Sequence, residues 1–349
     1  MNIENMSGLK ALALGNEQTV STPKVVEEKK PEPPKEEVKE APTTFEETTI
    51  SSSDFVSKYP SIEEEMVAQG GQPEIQPSHI FCGVVGHEGT GKSGIVLDAH
   101  MNRYPDDLMI AIDFDNGALA CKQAHYNSSP NIRVFSPWVM QTEDRTAYNY
   151  LLSYQRTMDL CKYAVEYAER QWEEGFDGQK LKTFLVTGVD QFDSMCIDCM
   201  KIYDLDMKAT DAIEASHSKL NSEIGWNWNI RATRFKQLTA MCQKLNRLGV
   251  DVYWETHLKE DKEGKVGFDG WKFAWHGSAT KDLFQILWCN AKSMRQSDGS
   301  LTGETRYHVD FFKQKTNSNL MGQERTYFVT KKGEPAEWFG LAELRDGML

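Results

Sequence analysis

The stretch HIFCGVVGHEGTGKS, residues 79–93, constrains this chain more than any other. HIFCGVV is an apolar run of strand length, which reads as a strand buried on both faces. Gly86-His87-Glu88-Gly89-Thr90-Gly91-Lys92-Ser93 follows it and fits GxxxxGK[ST] without a mismatch. Helical patterning then runs from Ser93 to Tyr104. At average composition such a pattern arises by chance about 0.01 times in a chain of this length, so the match is taken as real. A strand, a Gly-rich loop and a helix in that order make a phosphate-binding loop. Glycine lets backbone N–H groups turn inward around an anion, and the helix points its positive end at it. Gly86, Gly89, Thr90, Gly91, Lys92 and Ser93 are therefore the expected nucleotide-binding residues. Lys92 is expected to reach the β- and γ-phosphates of ATP and Ser93 to hold Mg²⁺. His87 and Glu88 occupy variable loop positions.

Around this loop the chain alternates short apolar runs with helical stretches. Strands are expected at LMIAIDF (108–114), Arg133 to Phe135, TFLVTGV (183–189) and VDVYWETH (250–257). Helices are expected from Glu143 to Trp172 and within Ile213 to Leu248. ILWCNA (286–291), YHVDFFK (307–313) and RTYFVT (325–330) follow closely, separated by turns such as SDGS, and are expected to be antiparallel. The implied fold class is α/β: a mainly parallel sheet extended by C-terminal antiparallel strands.

Composition divides the chain. Residues 1–75 hold 15 Asp and Glu against 7 Lys and Arg, a net charge of −8 out of −13 for the whole chain. Residues 1–53 are rich in Glu, Lys, Pro, Thr and Ser, bury too little apolar area to offset chain entropy, and read as a disordered acidic tail. Residues 54–78 read as a short helix and linker, with Ser61 and Glu64 spaced as a capping box. Residues 79–349 form the expected folded domain. Seven scattered Cys, including the lone pair Cys196 and Cys199, read as reduced thiols of a cytoplasmic protein. No apolar run approaches the roughly 20 residues of a membrane span.

Three strand ends carry polar residues suited to nucleotide chemistry. The strand TFLVTGV leads into Asp190, where an acid orients the Mg²⁺ water; Asp193 is its rival. AIDFDNGAL supplies Asp113 and Asp115, of which Asp115 is the candidate for polarising the attacking water. VDVYWETH ends in Glu255-Thr256-His257, where His257 is the candidate that senses the γ-phosphate. The chain lacks the NKxD base-reading motif of GTPases and the HRD element of protein kinases.

The series GHEGTGKS, AIDFDNGAL, TFLVTGVD and VDVYWETH, followed by FFKQKTNSNLMG, resembles the RecA-like ATPase core over about residues 79–330. It is most similar to the small phage RecA-like ATPases of the single-strand annealing (Sak-type) group. The resemblance implies an ATPase, converting ATP and water to ADP and phosphate, stimulated by single-stranded DNA in recombination. It also implies a homo-oligomer, as a ring or filament, in a host cytoplasm, with a single-strand-binding protein as a further partner. AIDFDNGAL resembles the strand on which RecA-type recombinases carry their catalytic acid, with Asp115 at that position in place of Glu, and in the Sak-type group an Asp ends this strand. Lys313-Gln314-Lys315 is similar to the Lys-x-Arg finger of hexameric RecA-like helicases, with Lys in place of Arg at the second position, which removes the bidentate fork. A DNA-translocating motor, either helicase or packaging ATPase, and a non-catalytic nucleotide-binding assembly protein remain alternatives.

An overall charge of −13 rules out wrapping DNA by charge alone, so contact requires a local patch. The loop after His257 interleaves Lys265, Phe268, Trp271, Lys272, Phe273, Trp275 and Lys281, which suits stacking and phosphate contact with single strands. The period-2 spacing of WKFAW equally suits a hairpin whose aromatics pack on the sheet. Trp226, Trp228, Arg231 and Arg234 form a second, weaker candidate, read in the first place as a helix start packing into the core.

Overall fold

A computed structural model describes residues 77–141, 147–205, 228–260 and 271–349. The tail and short helix expected before residue 77 fall outside this range, as do Lys265, Phe268 and Trp226. The described residues all belong to one unit, Val67–Leu349.

In chain order the elements are β1 (Phe81–Gly86), α1 (Lys92–Arg103), β2 (Leu108–Asp113), α2 (Gly117–His125), β3 (Ile132–Phe135), α3 (Tyr150–Arg170), β4 (Leu181–Thr187) and α4 (Val189–Cys199). A short wider turn, Met200–Asp204, follows α4. Then come α5 (Trp228–Arg247), β5 (Asp251–Thr256), the short strands β6 (Leu258–Glu260) and β7 (Trp271–Phe273), and α6 (Ala279–Asp282). The long strands β8 (Gln285–Arg295) and β9 (Leu301–Gln314) precede β10 (Glu324–Lys331), β11 (Glu337–Trp338) and α7 (Ala342–Arg345).

Nine strands make one sheet in the order β11-β10-β9-β8-β1-β5-β4-β2-β3. From β8 to β3 all neighbours are parallel. From β8 to β11 all are antiparallel. This is the mixed α/β architecture expected, with one correction. ILWCNA was expected to be purely antiparallel, yet β8 runs parallel to β1, with Cys82 opposite Gln285, while running antiparallel to β9. It therefore joins the two halves of the sheet.

The parallel strands are apolar throughout because both faces are covered. On one face Phe81, Val85, Ile110, Ile112, Phe184, Val186 and Trp254 pack on Tyr154, Cys161, Phe192, Phe235 and Cys242 from α3, α4 and α5. On the other, Cys82, Val84, Met109, Ala111 and Tyr253 meet Ile95, Val96 and Ala99 of α1, Ala118 of α2 and Leu344 of α7. Neighbouring residues of one strand fall on opposite faces, as the period of a strand requires. The result that matters for function is geometrical: β1, β2, β4 and β5 end together, so the loops after Gly86, Asp113, Thr187 and Thr256 open on one edge of the sheet.

Candidate nucleotide site

The loop after β1 is built by close approach and by left-handed backbone. A Cβ on Gly86 would stand 2.5 Å from the Cys289 carbonyl oxygen and 2.9 Å from Thr90 Oγ1, so only glycine fits there. Gly91, with φ of 76°, is the N-cap of α1 and offers no side-chain cap, which leaves the first N–H groups of a twelve-residue helix facing the loop. Lys92, 8% exposed, folds over the loop and donates to the Gly86 carbonyl at 3.2 Å and the His87 carbonyl at 3.0 Å. From the far side Tyr327 Oη of β10 donates to the Thr90 carbonyl. Trp338 and Arg345 hold Asp98 of α1, the guanidinium by two hydrogen bonds of 2.7 and 2.8 Å.

The carboxylates divide differently from the expectation. Strand β2 ends at Asp113, so Asp113 and Asp115 do not share a strand face. Asp113 turns inward, accepts from Thr187 Oγ1 at 2.6 Å and from the Leu119 N–H at 2.8 Å, and is 2% exposed. It fastens β4 and the start of α2. Asp115 lines the cavity, and its Oδ1 accepts from the Gly117 N–H at 3.0 Å. Strand β4 ends at Thr187, three residues before Asp190. Gly188 turns the chain at φ of 64°, and Asp190 lies in the first turn of α4. Both its oxygens are engaged, by Thr256 Oγ1 at 3.1 Å and His257 Nδ1 at 3.4 Å. Burial pushes the Asp190 carboxyl up, but the hydrogen bond and charge of His257 leave it below the usual carboxylate range. The same hydrogen bond raises the His257 imidazole. Asp193, the rival acid, is paired with Arg231.

Sequence reasoning assigned no role to the group nearest the Ser93 hydroxyl. Ser93 Oγ donates to Glu255 Oε2 at 2.7 Å. Glu255 is 2% exposed, and its Oε1 has no hydrogen-bond partner among the described residues. Burial pushes its carboxyl up to about 8, against the pull of Ser93 and Lys92. The signal was present, since a Glu inside the apolar run DVYWET breaks the pattern of a buried strand.

Glu88, Lys92, Ser93, Asp115, Glu255 and His257 line one cavity of about 920 Å³, whose far wall includes Tyr126, Phe328 and Trp338. That volume suits a nucleotide-sized ligand. A hydroxyl and carboxylates grouped at Ser93 are oxygen donors, the set a hard divalent cation such as Mg²⁺ takes, and the orphaned Glu255 Oε1 fits such an ion.

The remaining candidates lie elsewhere. Lys313 and Lys315 stand at the opposite edge of the sheet, because Gln314 pairs with Gln285, which in turn faces the start of β1. They donate to the Thr280 and Lys281 carbonyls, and burial, with Lys315 beside it, pulls Lys313 down to about 8. Trp271, Lys272 and Phe273 form β7 of a two-stranded hairpin with β6. The Trp271 ring meets His87 of the phosphate loop edge-on, with centroids 4.5 Å apart. Phe273 packs on Phe312 and Trp275. Trp275 corrects the expectation: it is 4% exposed and lies over Gly83 in the core, where no base can stack on it. Arg231 and Arg234 are held by Asp193 and Asp204. Cys196 and Cys199 lie in the core on one side of α4, with burial raising both thiols.

No protein-family model matches the chain. No curated protein matches it either. Among solved structures it is similar to the crystal structure of the RadB recombinase, at 10% identity over 72% of this chain and 87% of that chain, with a TM-score of 0.40.

Proposed function

We propose that this chain is a Mg²⁺-dependent ATPase that acts on single-stranded DNA in recombination or annealing, working as a ring or filament. One observation carries the nucleotide part: Lys92, Ser93 and the uncapped start of α1 share a cavity with Asp115 at the open edge of a parallel sheet. In this reading Gly86, Gly89, Thr90 and Gly91 cradle the phosphates, Lys92 neutralises them and Ser93 takes the cation. Asp115 polarises the attacking water, and His257 reports the γ-phosphate to the hairpin that follows it. The sequence alone names Asp190 as the acid that completes the cation site.

The DNA part draws on the motif resemblance and on one contact. Strand β7 touches the phosphate loop through Trp271 and His87, and it borders the segment containing Lys265 and Phe268. A strand of DNA held by that segment and by Lys272 is thereby tied to the nucleotide loop. Lys313 and Lys315 stand at the edge of the sheet opposite their own loop, and in this reading their charge serves a neighbouring protomer's ATP, as head-to-tail assembly allows.

ATP turnover measured with and without single-stranded DNA tests this reading. Wild type is expected to hydrolyse ATP faster with DNA. Lys315→Ala is expected to be inactive alone and partly rescued by added Lys92→Ala subunits. Absence of turnover in wild type under both conditions removes the enzyme. Turnover indifferent to DNA removes the DNA role, and absence of rescue removes the action in trans.

A further inference from the structure

Two acids compete for the place beside Ser93. Asp190, the choice from sequence, lies on a helix past the end of β4, spends its two oxygens on Thr256 and His257, and does not line the cavity. Glu255 does line it, and comes from the strand adjoining β1, where it faces Val84 across the ladder. It holds the Ser93 hydroxyl with one oxygen and leaves the other without a partner, although the side chain is 98% buried by exposure of 2%. A buried carboxylate oxygen with no donor is costly, and such atoms mark places where a ligand completes the structure. Asp115 closes the group. Its Oδ1 and Ser93 Oγ lie 3.1 and 3.2 Å from the point a Cβ on Gly117 would occupy, so the absence of a side chain at Gly117 keeps the space between them open.

We propose that Glu255, rather than Asp190, is the carboxylate that fixes a divalent cation at Ser93, in a space that Asp115 borders. The proposal rests on the nucleotide reading above and changes which strand supplies the acid. Asp190 becomes a positioning residue that fastens Thr256 and His257 to the start of α4.

The test reads binding, not turnover. Affinity for the non-hydrolysable analogue AMP-PNP is measured by calorimetry in excess EDTA and in Mg²⁺, and the ratio of the two affinities is the readout. Wild type should bind in both conditions and more tightly with Mg²⁺. Glu255→Gln, which is nearly isosteric and still accepts the Ser93 hydrogen bond, should lose about tenfold or more of the ratio, the scale seen when a group ordering a metal's ligands is removed. Glu255→Asp should keep part of it, and Asp190→Asn should keep nearly all. A wild-type ratio in both Glu255 variants overturns the proposal. So does loss of the ratio in Asp190→Asn, whether alone or to the same extent as in Glu255→Gln. Melting curves establish that the variants are folded; if Glu255→Gln is not, Glu255→Asp decides, a full ratio overturning the proposal and a reduced one supporting it. Failure of wild type to bind in either condition, or binding by Lys92→Ala as tight as wild type, removes the phosphate-loop reading and this proposal with it, an outcome distinct from a retained ratio.

Discussion

Strand β5 carries a buried carboxylate at each end, and the two are treated in opposite ways. Asp251 and Glu255 are four residues apart and each 2% exposed. Asp251, at the start of the strand, receives Arg103 on one oxygen and Ser78 on the other, both at 2.5 Å. Glu255, at the end where the loops gather, receives only Ser93 among the described residues. Burial raises both carboxyls; at Asp251 the Arg103 charge and the Ser78 hydrogen bond pull back, while at Glu255 the pull of Ser93 and Lys92 is opposed in turn by Asp115 and Asp113. One strand thus has an end whose charge is satisfied within the fold and an end that is left short. Sites that bind ligands are commonly underserved in this way, and the rest of the structure bears the cost.

The largest effect should come from the satisfied end. Arg103→Met strips Asp251 of its countercharge and should lower unfolding free energy by about 3–5 kcal/mol, since an uncompensated buried charge remains. Urea denaturation measures this, and the folded fraction should bind nucleotide normally. At the other end, Lys92→Ala should reduce ATP turnover by about 10²- to 10³-fold, as expected when one charge-stabilising donor is lost, with little change in melting temperature. If the two variants exchange these signatures, the division of the strand into a structural and a functional end is wrong. Tyr327→Phe is intermediate. It removes the hydroxyl that holds the Thr90 carbonyl, so it should cost about 1 kcal/mol of stability and weaken AMP-PNP binding as well. The smallest effect on stability should be that of Glu255→Gln, within about 1 kcal/mol of wild type, because the amide keeps the Ser93 hydrogen bond and relieves a buried carboxyl that has no direct ion pair among the described residues. A destabilisation as large as that of Arg103→Met would place Glu255 with Asp251 as a structural acid.

What could be read from the sequence was what is decided locally. The phosphate loop is dictated by Gly86, Gly91 and Lys92 within eight residues, and the buried strands by continuous apolar runs. What could not be read depends on distant partners. The parallel pairing of β8 requires β1, some two hundred residues earlier. The choice between Asp113 and Asp115 is made by Thr187, 74 residues on, and by the Leu119 N–H, which reaches Asp113 only once α2 has formed. The helices α2 and α4 were not anticipated. In α4 the signal existed, because Val189, Phe192, Cys196 and Cys199 fall at helical spacing, but the run is short and follows directly on a buried strand. Trp275 was weighed as a stacking residue because its aromatic neighbours alternate with lysines; only its position over Gly83 shows which face of the alternation turns inward.

The hydrogen bond from Tyr327 to Thr90 spans 237 residues, and the pairing of Arg345 with Asp98 spans 247. During synthesis the first strand, the glycine loop and its helix emerge long before the groups that brace them. Contacts of such separation form late, after most of the loop-closure entropy has been lost. A ribosome-bound chain ending anywhere before residue 327 therefore exposes the motif without its brace. Release of the later strands, rather than emergence of the motif itself, sets the moment at which the nascent protein acquires its finished loop.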